Sequence, residues 1–262
     1  MCELFAMSSR VATTVTFSLE EFSQHGGGTA PHGDGWGLAY FDGVTAQLIK
    51  EPHPAALSQR MHQLQTAGRR SSCVISHIRH ATVGVRSLDN TQPFVKEISG
   101  RSHVFAHNGH LGNIQTILGL DRYTLRGETD SEYAFCYLME AIEPLWDSNT
   151  PALQQRVGVV KKIFDELAPM GPANFIYSDG DYLYAFANKR TQANGLIEPP
   201  GMYYLPRHCI CDRETLKKAG VDIACDPQDI VLFASVPLTN EQWLPVEPCE
   251  LMIARLGDLR ET

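Results

Sequence analysis

The residue best placed to do chemistry is the second one. The chain starts Met1-Cys2-Glu3-Leu4-Phe5-Ala6-Met7. Methionine aminopeptidase trims Met1 before a small side chain, and Cys2 is small. The mature chain is therefore expected to begin with a thiol and a free α-amine on one residue. An α-amine titrates at about 7.7–8.0 and a thiol at about 8.5. Both lie near working pH, where a base and a nucleophile are most useful. One residue can thus supply both, as an N-terminal threonine does in other enzymes. The plainer reading makes Cys2 a buried cysteine on an edge strand, since free Cys is among the most buried residue types.

Other polar residues break the apolar pattern. In the strand-like run CVISHIRH, Cys73 to His80, the residues Val74, Ser76, Ile78 and His80 point one way. Ile75, His77 and Arg79 point the other. Arg is seldom buried without a partner. Arg79 either lies in solvent on an edge strand or is carried into a pocket, where its guanidinium can grip a carboxylate. Ala81-Thr82-Val83-Gly84 follows as a tight loop able to wrap a small ligand. Asn108-Gly109 has the residue types of a hairpin turn. The residues after it, Leu111 to Ile114, do not mirror the strand before it. The alternative is an oxyanion hole made by the Asn108 amide and the Gly109 N–H, on the order of 2.7–4 kcal/mol of barrier for each donor. In Gly127-Glu128-Thr129-Asp130-Ser131-Glu132, acidic residues suit the first turn of a helix because of its dipole. From that position Asp130 can equally meet a substrate ammonium while Thr129 caps.

Other chemistries find less support. His77, His80, His107 and His110 sit near these motifs, so a Cys–His hydrolase is conceivable. It ranks behind the α-amine because the nucleophile stands at the start of the chain. Seven cysteines, at 2, 73, 136, 209, 211, 225 and 249, include no CxxC pair. Neither a disulfide framework nor a zinc site is indicated. Cys209-x-Cys211 with His208 comes nearest to a metal cluster, at a spacing unlike the usual zinc knuckles. No GxGxxG joins a strand to a helix, and GxxxxGK[ST] does not occur, which removes the common nucleotide-binding signatures. No metal or cofactor is expected. A net charge of -8 without a basic run argues against nucleic acid or an anionic membrane as partner. Neither a signal peptide nor an apolar run near membrane-spanning length is visible, so the cytoplasm is the expected location. With 262 residues, 43% apolar and 20% charged, a substantial core is possible.

The elements that must position these residues follow from pattern and punctuation. Residues 2–8 read as a strand. Ser18-Leu19-Glu20-Glu21 reads as the capped start of a short helix. Residues 24–35 form a glycine-rich loop. Gly35–Phe41 and Val44–Lys50 make a hairpin about Asp42-Gly43. Residues 55–66 read as a helix, and 73–80 and 102–107 as strands. Thr129-Asp130-Ser131-Glu132 is a capping box before a long helix ending near Pro144. Pro151 opens another, to about Leu167. Residues 175–177 and 182–186 flank a Ser178–Asp181 turn. Residues 230–235 and 251–256 are late strands, and Pro199-Pro200-Gly201 is a loop. Hairpins with helices in a block favour an α+β design of antiparallel sheets with helices outside.

Taken in order, N-terminal Cys, GDGWG, HIRHAT, HNG and GETDSE resemble the class II glutamine amidotransferases, whose glutaminase domains are N-terminal-nucleophile hydrolases. The opening MCELFAMSS, the stretch GGGTAPHGDGWG and the AHNG-to-GETDSE spacing look closest to the small stand-alone YafJ-type members. The ergothioneine-pathway γ-glutamyl hydrolase is a more distant relative in style. The similarity covers nearly the whole chain and implies one glutamine amidotransferase domain over residues 1–262. It also implies a four-layer αββα sandwich with the Cys2 strand at its centre. On matching positions it implies Cys2 as nucleophile, and Asn108 and Gly109 as the oxyanion hole. Arg79, with the Thr82-Val83 backbone beside it, would hold the glutamine α-carboxylate, and Asp130 the α-ammonium. Larger members carry Arg-Gly-x-Asp-Ser-Ala-Gly where this chain has Gly33-Asp34-Gly35-Trp36-Gly37, and many carry Trp where it has His80. Both differences touch the pocket wall, and free glutamine, a γ-glutamyl conjugate and another small amide all stay open as substrates. No synthase or sugar-isomerase domain follows, so an ammonia-accepting partner protein is a further expectation. The alternative from another class is a glutamine-binding, ammonia-delivering or sensing subunit with little activity until a partner docks.

Overall fold

A computed structural model describes residues 2–29, 32–147, 149–209 and 228–260. Two antiparallel sheets lie face to face. The strands of the first are β1 (Glu3–Thr13), β2 (Trp36–Asp42), β3 (Thr45–Glu51), β4 (Ser71–Ile78), β11 (Tyr203–Cys209), β12 (Gln228–Ala234) and β13 (Leu244–Pro245). Their order is β13-β11-β12-β1-β4-β2-β3. The second sheet uses β5 (Phe94–Ile98), β6 (Arg101–Gly109), β7 (Ala173–Ser178), β8 (Leu183–Ala187), β14 (Glu250–Arg255) and β15 (Asp258–Arg260), in the order β15-β14-β8-β7-β6-β5. A short ribbon of β9 (Arg190–Thr191) and β10 (Ile197–Glu198) stands apart. Helices α1 (Thr16–Gln24) and α2 (Gln59–Ala67) accompany the first sheet. The second is covered by α3 (Ile114–Ile117), α4 (Asp130–Ile142) and α5 (Leu153–Leu167).

Three apolar layers bind these four structural layers. Phe5, Met7, Trp36, Leu38, Val74 and Ile78 pack towards Leu19, Phe22 and Met61 of the first helical layer. Leu4, Ala6 and Ile75 meet Val104, Ala106 and Ile176 between the sheets. Phe105 and Phe175 pack on Phe135 and Phe164 of the outer helices, Phe105 stacking on Phe135 with centroids 5.4 Å apart. A strand of the inner pair of layers is buried on both faces. This explains why the alternation over residues 2–8 is only moderate. The αββα sandwich is thus the observed architecture.

Several local expectations change. Ser18 lies inside α1, which starts at Thr16 after Val15. Residues 55–66 split into a single turn at Ala55–Leu57 and α2, because the Ser58 hydroxyl accepts from the Met61 N–H at 3.0 Å and caps a new helix start. β4 ends at Ile78, so Arg79 and His80 lie just past it. Neither β1 nor β4 is an edge strand: β1 is flanked by β12 and β4, and β4 by β1 and β2. Thr129 caps α4 through the Glu132 N–H at 3.2 Å. The Glu132 carboxylate, however, accepts from the Arg126 and Gly127 N–H groups at 2.9 and 2.7 Å. Strands β5 and β11 carry no clear alternation and were not anticipated from the pattern. No helix among the described residues is long and apolar enough to cross a membrane.

Candidate active site

Cys2 stands at the threshold of β1, a central strand, so its thiol opens at one end of the sandwich. The sulfur donates to the His80 carbonyl at 3.4 Å and accepts from the His80 N–H at 3.2 Å. β4 therefore delivers the backbone just beyond its last residue onto the Cys2 sulfur. Burial pushes the thiol pKa up, outweighing the His80 N–H and the Arg79 charge, which pull it down; Asp130 adds to the rise. The resting sulfur is thus a thiol at neutral pH and needs a base to become a nucleophile.

Arg79 is only 3% exposed. Its Nη1 donates to the Val85 carbonyl at 3.1 Å, and Nη2 to Val83 and Gly84 at 2.9 and 3.0 Å. Thr82 and Val83 lie exposed on the loop that these bonds hold. The guanidinium therefore spends much of its donor capacity shaping the loop, and Nε–H with the second Nη1 hydrogen remains for a ligand. Asn90, buried, ties the same loop to the approach to α4. Its Nδ2 donates to Val85 at 3.0 Å and its Oδ1 accepts from the Glu128 N–H at 2.8 Å. Asp34 fastens the glycine-rich loop to the same segment, accepting from the Ala81 N–H at 2.8 Å and from Arg86 Nε at 2.6 Å. Burial alone would raise the Asp34 carboxyl, but these donors hold it below the usual carboxylate range.

Asp130 is the first residue of α4, where the helix dipole favours a carboxylate. It accepts from the Leu111 N–H at 2.6 Å and lies 3.5 Å from His110 Nδ1. The next residue, Ser131, holds His107 Nδ1 at 2.9 Å. Asn108 and Gly109 end β6, paired with Asn174 and Ala173 of β7. This is strand rather than hairpin turn. The Asn108 carboxamide contacts Ser235 Oγ at 2.9 Å, and the Asn108 backbone carbonyl accepts from Asn174 Nδ2 at 2.7 Å. Gly109 must be glycine, because a Cβ there would collide with the Pro172 carbonyl. Gly37 likewise lies against the Gln92 carbonyl. Gln92 in turn brackets the His107 backbone, accepting at 2.6 Å and donating at 3.2 Å.

None of the four histidines places its ring on the sulfur in the described contacts. His107 is pinned between Ser131 and the Pro172 carbonyl, and burial lowers its pKa. His77 is fully buried and pushed down to about 3 by desolvation. His80 uses its backbone, its ring lying 3.9 Å from Asp34. Next to Cys2 in the chain, Glu3 binds His25 Nδ1 at 2.6 Å, which raises the His25 pKa. Among the described residues no trio of His, Cys, Asp or Glu is arranged for a metal ion. His208 bonds Asp229 at 2.7 Å, and Cys211 lies outside the described residues. Asn90, Gln92, Asp34 and Ser235 were not singled out from sequence. Only the polar run Asp89 to Gln92 hinted at two of them, by interrupting the apolar pattern before Phe94.

The model of the family described as "Glutamine amidotransferases class-II" matches residues 1–262. The chain belongs to the class-II glutamine amidotransferases. As a member of that family it is an enzyme that acts on the side-chain amide of glutamine. It is 33% identical over 264 residues to "Putative glutamine amidotransferase YafJ" of Escherichia coli, covering 98% of this chain and 99% of that one. A crystal structure of a "predicted glutamine amidotransferase from Pseudomonas aeruginosa" superposes with a TM-score of 0.71 at 29% identity, over 100% of both chains. The fold, at 16% identity, also matches the Bacillus subtilis glutamine phosphoribosylpyrophosphate amidotransferase, with a TM-score of 0.65 over 99% of this amidotransferase and 48% of that chain.

Proposed function

We propose that this amidotransferase hydrolyses the side-chain amide of glutamine, or of a γ-glutamyl amide, through a thioester on Cys2. Residues 1–262 act as one catalytic domain, and removal of Met1 exposes the Cys2 α-amine. That amine takes the thiol proton, directly or through a water. The sulfur attacks the side-chain carbonyl carbon, and negative charge moves to its oxygen. The Asn108 carboxamide and the Gly109 N–H stabilise that oxygen. The C–N bond then breaks, and the leaving ammonia or amine collects the proton held by the α-ammonium. Water, deprotonated by the same amine, cleaves the thioester and releases glutamate. Asp130 takes the substrate α-ammonium. Arg79 and the Thr82-Val83 loop it shapes take the α-carboxylate, so the amide is presented in register.

The observation that carries this reading is the setting of the thiol. It is buried enough to stay protonated at rest, and both Arg79 and Asp130 act on its charge. The Arg79 cation and the Asp130 anion, both of which bear on that thiol, match the two charged ends of an amino acid. Free Cys73, Cys136 and Cys249 beside the free Cys2 suit a reducing cytoplasm.

The experiment measures ammonia release from glutamine by Met-processed protein, with mass-spectrometric trapping of a Cys2 adduct by an electrophilic glutamine analogue. Cys2→Ala should abolish both. A form retaining Met1 should lose nearly all turnover, and full turnover by that form would exclude the α-amine as base. Heat of glutamine binding without ammonia release is the result expected of an ammonia-delivering subunit awaiting its partner.

A further inference from the structure

Ser235 follows the last residue of β12 and touches two elements of the site at once. Its backbone N–H donates to the Leu4 carbonyl at 3.0 Å, and its hydroxyl oxygen accepts from the Leu4 N–H at 3.0 Å. This places it two residues from the nucleophile along β1. The same oxygen lies 2.9 Å from Asn108 Nδ2. Ser235 and Asn108 are both 0% exposed, so water does not settle their hydrogen bonding.

Drawn that way, the arrangement leaves two gaps. The Ser235 oxygen receives two N–H groups, while its own proton has no acceptor among the described contacts. Asn108 Oδ1 is buried with no partner. The oxygen and nitrogen of a carboxamide have nearly the same shape, and only hydrogen bonding tells them apart. Turning the carboxamide over closes both gaps. The Ser235 hydroxyl then accepts from Leu4 and donates to Asn108 Oδ1. The Asn108 NH2 group moves to the side where Oδ1 was unpartnered. In the turned form the Ser235 hydroxyl and Asn108 Oδ1 are paired, as buried polar groups are in native proteins, and the NH2 group is the donor left without a partner among the described contacts, available to an incoming oxyanion.

We propose that Ser235 is a positioning residue for the reaction: its hydroxyl, committed on one side by the Leu4 N–H, fixes the Asn108 carboxamide so that N–H rather than C=O faces the oxyanion. Without that hydroxyl the amide can present its oxygen, which repels the developing charge. The Leu4 bond makes the arrangement directional. An acceptor there would instead take the hydroxyl proton and leave the Ser235 oxygen to accept from the Asn108 NH2, the opposite orientation. The inference rests on the Cys2 mechanism above and adds to it the group that sets the polarity of the oxyanion site.

The test compares Met-processed wild type, Ser235→Ala, Ser235→Thr, Asn108→Ala and the Ser235→Ala/Asn108→Ala double variant. Each is measured for glutamine turnover, for glutamate affinity and for affinity of the γ-aldehyde analogue of glutamate, whose adduct with the thiol carries the oxyanion. Ser235→Ala should lower kcat by about ten-fold or more, up to the roughly 10²–10³-fold cost of a lost oxyanion donor. It should weaken aldehyde binding by a similar factor, with KM and glutamate affinity within about two-fold of wild type. Ser235→Thr, which keeps a hydroxyl, should recover most of the loss. The double variant should be no slower than Asn108→Ala alone, because Ser235 acts only through that side chain. Wild-type kcat in Ser235→Ala overturns the proposal. So does an additive loss in the double variant, or a parallel fall in glutamate affinity that Ser235→Thr does not restore. If wild type releases no ammonia, the Cys2 reading falls, and aldehyde binding still decides the role of Ser235. Wild-type aldehyde affinity in Ser235→Ala then overturns it.

Discussion

Asp130→Asn separates a substrate-binding carboxylate from a structural one. Asn is nearly isosteric and keeps an oxygen to accept the Leu111 N–H that Asp130 holds at 2.6 Å. What disappears is the charge. A hydrogen bond to a charged group is worth about 1.5–3 kcal/mol, and about 1.4 kcal/mol is ten-fold in rate or affinity. Glutamine kcat/KM should therefore drop by roughly ten- to hundred-fold. The helix start loses only about 0.3–1 kcal/mol of dipole stabilisation, too little to unfold the domain. Glutaramate, which has the amide and one carboxylate but no α-amine, supplies the internal control. Its slow turnover should be nearly unchanged by the substitution, since it has no ammonium for Asp130 to meet. A second readout moves the other way. Asp130 contributes to raising the Cys2 thiol pKa, after burial. Its neutralisation should lower that pKa and speed alkylation of Cys2 by iodoacetamide at fixed pH. Steady-state kinetics on the two substrates and the alkylation rate constant are the assays. Equal losses on glutamine and glutaramate, together with slower alkylation, would mean that Asp130 acts only by holding the 110–111 backbone.

Two further outcomes follow from the charged and buried groups. Arg79→Lys removes the planar fork that reaches Val83, Gly84 and Val85, and a single ammonium cannot replace it. Losing one charge-assisted bond, about 1.5–3 kcal/mol, should loosen the loop. Tryptic cleavage after Arg86 should quicken at least about ten-fold and KM for glutamine should rise; an unchanged cleavage rate would show that other contacts order the loop. Acid should destabilise the fold through buried histidines. His77 and His103 titrate near 6.5 when unfolded, but burial pushes them down to about 3 and about 4 in the fold. Below pH 6.5 the unfolded chain takes up protons that the folded chain refuses. The stability these groups contribute is present above pH 6.5 and is lost progressively as pH falls through that window. Each costs about 1.4 kcal/mol by pH 5.5, about 3 kcal/mol together. Urea titrations at pH 7 and 5.5 measure this, and His77→Gln should remove about 1.4 kcal/mol of the difference; an unchanged difference would exclude His77 as a source.

The amino-acid sequence by itself determined which residues are the candidates for the reaction and their order along the chain. Cys2 stands out by its place at the chain start, Arg79 by a charge costly to bury unpaired, Asn108-Gly109 as turn residues without a mirrored strand after them, and Asp130 as a carboxylate at a helix start. Local pattern also sufficed for the β2–β3 and β7–β8 hairpins and for the Thr129 cap, since turns and caps are made by residues a few positions apart. Tertiary structure alone decided which strands became neighbours, and hence that Cys2 opens a central strand rather than an edge. It also committed most of the Arg79 donors to its own loop. Ser235, Gln92, Asn90 and Asp34 acquire roles only there. Ser235 bonds residues 231 and 127 positions away, and a polar residue on its own does not reveal a partner at that distance. The physical reason is that side-chain periodicity records which face of an element is buried, whereas strand order and register come from burying both faces of two sheets at once.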